Sequence, residues 1–140
     1  MDQKSGPDLC HCHATRRSAR VLTRFYDRHL VSAGMSISQF SILSLIDGHP
    51  DVKVADLANM MVMERTTLVR AMKPLQHAGW IKSQVLAGRA HCLSLTADGR
   101  RKLEEAAPLW EAAQSDFEQT FGRDQAVRLR DANQEIALQA

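Results

Sequence analysis

Apolar residues recur at helical spacing through most of the chain, and the period changes once, past its middle. In residues 14–30, Val21, Leu22, Phe25 and Leu30 form one stripe, with Arg16, Arg17, Arg20, Arg24 and Arg28 spread around it. That pattern predicts an amphipathic helix, which Gly34 breaks. The stretch SISQFSILSLIDG (36–48) predicts a second helix, capped by Ser36 or Ser38 and ended by Gly48 and Pro50. Phe40, Leu43 and Ile46 give its buried face, widened by Ile42 and Leu45. VADLANMM (54–61) predicts a short third helix with Leu57, Ala58 and Met61 inward, although Lys53 stands where a capping Ser or Thr would serve it. VMERTTLVRAMKPLQHAGW (62–80) holds a fourth. Leu68, Met72, Leu75 and Gly79 form one buried line, and Thr66, Thr67, Arg70, Lys73 and His77 fall off it. Pro74 removes one backbone hydrogen bond and favours a bend.

The period then drops to two. WIKSQVL (80–86) and HCLSLT (91–96) predict strands, with Ile81 and Val85 on one face and Leu93 and Leu95 on another. AGRA (87–90) joins them as a tight hairpin, with Gly88 in the turn and Arg89 at its tip. Residues 96–121 return to helical spacing, with Thr96 as N-cap, Asp98 in the first turn and a kink expected at Pro108; Gly122 separates a last helix over 124–138. Residues 1–9, polar with Gly6 and Pro7, read as a frayed end. The fold class is mainly α with a small β-hairpin wing: one domain over 1–140, with a winged helix-turn-helix over 36–96 flanked by helices at 14–30 and 97–138. The outer helices carry stripes (Val21, Leu22 and Phe25; Leu103, Leu109, Trp110, Phe117 and Phe121; Val127, Leu129 and Ile136) that need a partner: either they pack on each other within one chain or they pair with a second copy, and the family resemblance given below makes the homodimer the expectation.

Composition bounds the picture further. A chain of 140 residues, 44% hydrophobic and 24% charged, fits one globular domain. No apolar run nears the ~18–20 residues of a membrane span, and MDQKSGPDLCHCHATRR lacks the apolar core of a secretory signal, so no membrane partner and a cytoplasmic location are expected. The three cysteines, Cys10, Cys12 and Cys92, are expected to be thiols. Charge is unevenly spread: +1 over residues 1–59, +6 over 60–102 and −5 over 103–140. A basic middle beside an acidic tail suits a nucleic-acid face kept apart from a second surface. The chain has no G-x-S-x-G, G-x-G-x-x-G or H-E-x-x-H, so neither an enzyme nor a cofactor is expected.

The cluster Arg65, Thr66, Thr67 and Arg70 opens the fourth helix. In a helix-turn-helix the second helix enters the major groove N-terminus first. Short threonines allow close approach, their hydroxyls reach phosphates or base edges, and their methyls can meet a thymine methyl. Arg65 and Arg70 can each bridge two acceptors. Lys73 and Lys82 are placed for backbone contact, and Arg89 can enter the minor groove. The bland alternative is a capped helix with solvated arginines.

ERTTLVRAMKPLQHAGWI, the wing GRAHCLSLT, LTADGRRKL after it and YDRHLVSAGMSISQFSILSLI upstream resemble the multiple antibiotic resistance regulator (MarR) family over about residues 14–121. The resemblance implies a homodimeric winged-helix DNA-binding protein on a palindromic operator, usually a repressor released by a small aromatic or phenolic compound or by an oxidant. Carried over, the recognition helix is Arg65, Thr66, Thr67 and Arg70, and the wing arginine is Arg89. Two positions depart from the family pattern. Ala87 replaces an aspartate often found two residues before that arginine, and Glu64 replaces a better-capping Asp. The effector pocket implied lies among helices 14–30, 36–48 and 96–121, where Arg20 or Arg24 would hold a carboxylate unless they are simply surface residues.

CHCH (10–13) leaves three readings open: a helix start with ordinary thiols, an oxidant-reactive pair in Cys10 and Cys12, or part of a metal site. Cys92 is expected to be a small buried residue, and Met60, Met61, Met63 and Met72 to fill irregular core space. Beside the regulator stands one competing function, a winged-helix module that binds protein instead of DNA.

Overall fold

The computed structural model describes residues 6–86, 88 and 90–140. The helices are α1 (His11–Leu30), α2 (Ile37–Gly48), α3 (Val54–Met60), α4 (Arg65–His77), α5 (Ala97–Phe121) and α6 (Arg123–Ala137). The strands are β1 (Val52–Lys53), β2 (Ile81–Leu86) and β3 (Ala90–Leu95). They form an antiparallel sheet in the order β1-β3-β2, with Val52 opposite Leu93 and Ile81 opposite Leu95. This is a winged helix, with α3 and α4 as the helix-turn-helix and β2–β3 as the wing.

Local chemistry fixes each boundary. Ser36 and Gln39 make a reciprocal capping box at the start of α2: the Gln39 N–H donates to Ser36 Oγ at 3.2 Å and the Ser36 N–H to Gln39 Oε1 at 3.0 Å. The Ile37 N–H donates to the Asp27 carboxylate at 2.8 Å, which ties the same end to α1. Thr96 does the equivalent for α5. Its hydroxyl accepts from the Gly99 N–H at 3.0 Å and donates to the Gly79 carbonyl, so one side chain joins the end of α4, the base of the wing and the start of α5. The α3 and α4 helices begin at Lys53 and Glu64, and neither supplies a side-chain cap. Both therefore depend on tertiary packing: Leu57 and Ala58 of α3 and Leu68, Met72 and Leu75 of α4 sit in the common core with Ile42, Leu43 and Leu93.

The sequence reading needs correction at several points. The first helix starts at His11, not Ala14, because Cys10 caps it: its sulfur accepts from the His13 N–H at 3.4 Å. The pair Val52–Lys53 is an unforeseen strand, too short for any periodicity to reveal. Gly79 does not extend the buried line of α4; it follows the helix at φ 76, the left-handed position that stops it. Val85 does not share the burial of Ile81; it is 60% exposed, since the wing runs out beyond the core. The third helix stops at Met60, one residue early, and the last runs 123–137 instead of 124–138. Helices α4 and α5 remain continuous through Pro74 and Pro108. Residues 1–5 of the expected frayed end lie outside the described residues, as do Ala87 and Arg89; Pro7–Leu9 form an exposed single turn.

Along α5 the fully buried positions are small: Gly99, Ala106 and Ala113, seven residues apart. They let α5 lie close against the wing base, α2 and α1 in turn. No single helix among the described residues is long and apolar enough to cross a membrane.

Candidate nucleic-acid interface

Helix α4 has two faces. Leu68, Met72 and Leu75 are 0%, 3% and 0% exposed and anchor it. Burying three such side chains stabilises the helix by about 1.5–3 kcal/mol each. Opposite them Thr66, Arg70, Lys73 and His77 stand at i, i+4, i+7 and i+11, a single outward line, with Arg65 and Thr67 beside it in the first turn; all six are exposed. Among the described residues none of Arg65, Arg70, Lys73 or the wing's Lys82 forms an ion pair. Among the described residues no acidic side chain neutralises the charge on this face, and the uncapped first turn adds free backbone N–H groups to it.

Sequence reasoning missed one member of this face. Val69, 39% exposed, points outward beside Arg65 and Lys73. Its place four residues after Arg65 was the available signal. Val62, in the turn before α4, holds φ 52, a left-handed value unfavourable for a β-branched residue. The wing strands pair through Leu86 and Ala90, and Gly88 takes φ 95 in the turn between them. The expected tip residue Arg89 lies outside the described residues.

The remaining candidates fall elsewhere. Cys10 and Cys12 are exposed at the start of α1, whereas Cys92 is buried on the central strand. No group of three or more His, Cys, Asp or Glu that could hold a metal ion occurs among the described residues. Met72 is buried, Met61 and Met63 pack against the core, and Met60 is 44% exposed.

Two clefts flank α5. One, of about 320 Å³, lies between α1, α5 and α6 and is lined by Leu22, Tyr26, Phe117 and Leu129. Here the Tyr26 hydroxyl meets Gln114 Oε1, and burial, with Glu118 nearby, pushes the phenol above its usual pKa. The other, of about 780 Å³, runs between α2 and α5, where Trp110 stacks on Phe40 at 5.8 Å. Arg20 and Arg24 are exposed on α1 and line neither cleft.

The MarR family model matches residues 35–86, from the start of α2 to the end of β2. The M. tuberculosis transcriptional regulator MosR, solved in complex with DNA, is 35% identical over 93% of this chain and 96% of that one, with a TM-score of 0.79. The chain belongs to the MarR family. It is a winged-helix DNA-binding transcriptional regulator of that family. CouR from Rhodococcus jostii RHA1, bound to p-coumaroyl-CoA, shares the MarR-family fold at 19% identity over 96% of each chain, with a TM-score of 0.79. NadR in complex with 4-hydroxyphenylacetate shares it at 22% identity over 98% of this chain and 96% of that one, with a TM-score of 0.72. No curated protein sequence matches the chain.

Proposed function

We propose that the chain is a homodimeric repressor whose α4 enters the major groove of a palindromic operator and whose grip is released by a small molecule. The observation that carries this is the exposed line Thr66, Arg70, Lys73 and His77, free of ion pairs among the described residues, opposite the buried Leu68, Met72 and Leu75. Arg65, Thr66, Thr67 and Arg70 read base edges, Lys73 takes a phosphate, and Val69 offers a methyl surface to thymine. Arg89, from the wing, enters the adjacent minor groove. DNA is favoured over a protein-only partner because a relative of 35% identity is bound to DNA. A regulator of this kind acts in the cytoplasm, by binding and without catalysis.

Residues 36–96 serve as the DNA-reading core, and 14–30 and 97–138 as the dimerisation helices. Support for the second copy comes from large apolar side chains left in water on the outer helices: Val21 at 64% exposure, Phe121 at 42% and Ile136 at 64%. Two protomers related by a two-fold axis would place their α4 helices about one DNA turn apart, ~34–36 Å. For the effector, a relative binding p-coumaroyl-CoA and another binding 4-hydroxyphenylacetate support a small aromatic. An oxidant or a metal would act through Cys10 and Cys12, whose exposure supports access; the capping role of Cys10 supports the plain helix-start reading.

The test is selection of bound fragments from the source genome, followed by fluorescence anisotropy on the enriched duplex across a salt series. A palindromic site, two protomers per duplex and a log–log salt slope of roughly −0.9 per phosphate contact are expected. Weak, uniform binding to all fragments overturns the proposal.

A further inference from the structure

The α2–α5 cleft is lined by two acidic residues, Asp47 and Glu111. Its floor is aromatic: Trp110, half-buried, stacks on the buried Phe40 with an interplanar angle of 16°. Ser41 and Ser44 put hydroxyls on one wall, and Asp47 and Glu111 put carboxylates on opposite walls. Among the described residues no Lys, Arg or His lines it. The nearby cation, Arg100, is turned onto Asp47 with its guanidinium 3.0 Å from Oδ1, so it neutralises a wall residue and does not face the cavity. Glu111 makes no ion pair among the described residues. The sequence expectation of an arginine holding an effector carboxylate therefore has no counterpart here: Arg20 and Arg24 stand outside this cleft.

From this we infer that the α2–α5 cleft binds a flat aromatic cation, stacked on Trp110 with its charge toward Glu111, and disfavours aromatic carboxylates. The inference deepens the regulator reading, since it names the effector class, but binding to the cleft is measured without DNA. A ring slides onto an aromatic floor through dispersion and apolar burial. An ammonium near the same rings gains from their negative faces. The decisive term is the uncompensated carboxylate. A ligand cation gains attraction where a ligand anion meets repulsion, an effect moderated by water because Glu111 is exposed. The two should differ in affinity by at least about tenfold.

Isothermal titration of the full chain with 2-naphthylmethylammonium, 2-naphthylmethanol and 2-naphthoate tests this on one ring system. The expected order of affinity is ammonium, then alcohol, then carboxylate. Glu111→Gln should weaken the ammonium about three- to tenfold and leave the alcohol unchanged, and Trp110→Ala should abolish all binding. Trp110→Phe, which keeps a ring and the fold, should retain the order at lower affinity. A carboxylate that binds as well as the ammonium, an alcohol that equals it, or no binding by any of the three overturns the inference. The outcome separates from that of the regulator reading. Specific DNA binding without cation preference removes only the cleft assignment, while a cation-selective cleft in a chain with no specific duplex leaves the assignment standing and removes the regulator.

Discussion

His29 Nε2 lies 2.7 Å from the Asp116 carboxylate, while its Nδ1 lies 3.0 Å from the Phe25 carbonyl. Both neighbours are acceptors, so only the imidazolium, with two N–H donors, satisfies both at once. The contact bolts the end of α1 to the C-terminal part of α5, the two helices proposed to carry the dimer.

Its strength should depend on pH. The Phe25 carbonyl first, and then Asp116, raise the His29 pKa above its usual value of 6.5, against opposing effects of burial and Arg28. A raised folded-state pKa stabilises the fold fully below about pH 6.5, and that contribution is lost as pH rises through the folded value. Asp116 is 56% exposed, so the pair contributes at most about 1 kcal/mol. Urea denaturation of wild type and Asp116→Asn at pH 5.5, 7 and 8.5 (~1.5-unit steps across the titration) should show a stability gap that narrows as pH rises. A gap of equal size throughout would mean that His29 does not charge.

Gly99 packs α5 closely against the backbone of Trp80, at the base of the wing. A Cβ there would sit under 2 Å from the Trp80 carbonyl oxygen, which already accepts the Thr96 N–H at 3.0 Å. Backbone cannot yield as a flexible side chain does. Gly99→Ala should therefore cost about 1–3 kcal/mol by thermal or chemical denaturation. It should also lower DNA affinity, because the wing base must shift. Wild-type stability in this variant would show that α5 and β2 can separate freely.

These two contacts mark how far the sequence could be read. The helix-turn-helix was legible because large residues repeat: Leu68, Met72 and Leu75 announce an inner face, and what remains between them is the outer one. The wing was legible from the change to a two-residue period, and Thr96 from its hydroxyl just before a helix. Gly99, Ala106 and Ala113 were not, because burial by smallness leaves no apolar pattern. The His29–Asp116 contact spans 87 residues and depends on a helix crossing that no local spacing encodes. The acidic lining of the α2–α5 cleft was not legible either, since Asp47 and Glu111 stand on two helices far apart in sequence that meet only when the chain packs.

Val62 stores strain in the helix-turn-helix turn. Its φ of 52 puts a β-branched side chain in the left-handed region, while 57% exposure gives it little packing in return. Asparagine tolerates that conformation far better. Val62→Asn should raise unfolding free energy by about 1 kcal/mol, read from a shifted denaturant midpoint at unchanged slope. A loss of stability would show that the valine's remaining contacts outweigh its backbone cost.

Arg70 carries the sharpest test of the groove assignment. It lies on the exposed line of α4, four residues after Thr66 and three before Lys73, and no acid among the described residues holds it. If it reads a base, Arg70→Ala should lose about 1–3 kcal/mol of affinity for the operator and relax selectivity at one position, with stability unchanged. If it contacts only phosphate, binding should weaken on every sequence and the salt slope should fall by about one unit. Lys73→Ala is expected to give that second result, which makes it the internal standard for anisotropy on specific and scrambled duplexes. Wild-type affinity in Arg70→Ala on both duplexes would mean that α4 meets DNA along a different face, and the outward line would then have to be reassigned to Arg65 and Thr67.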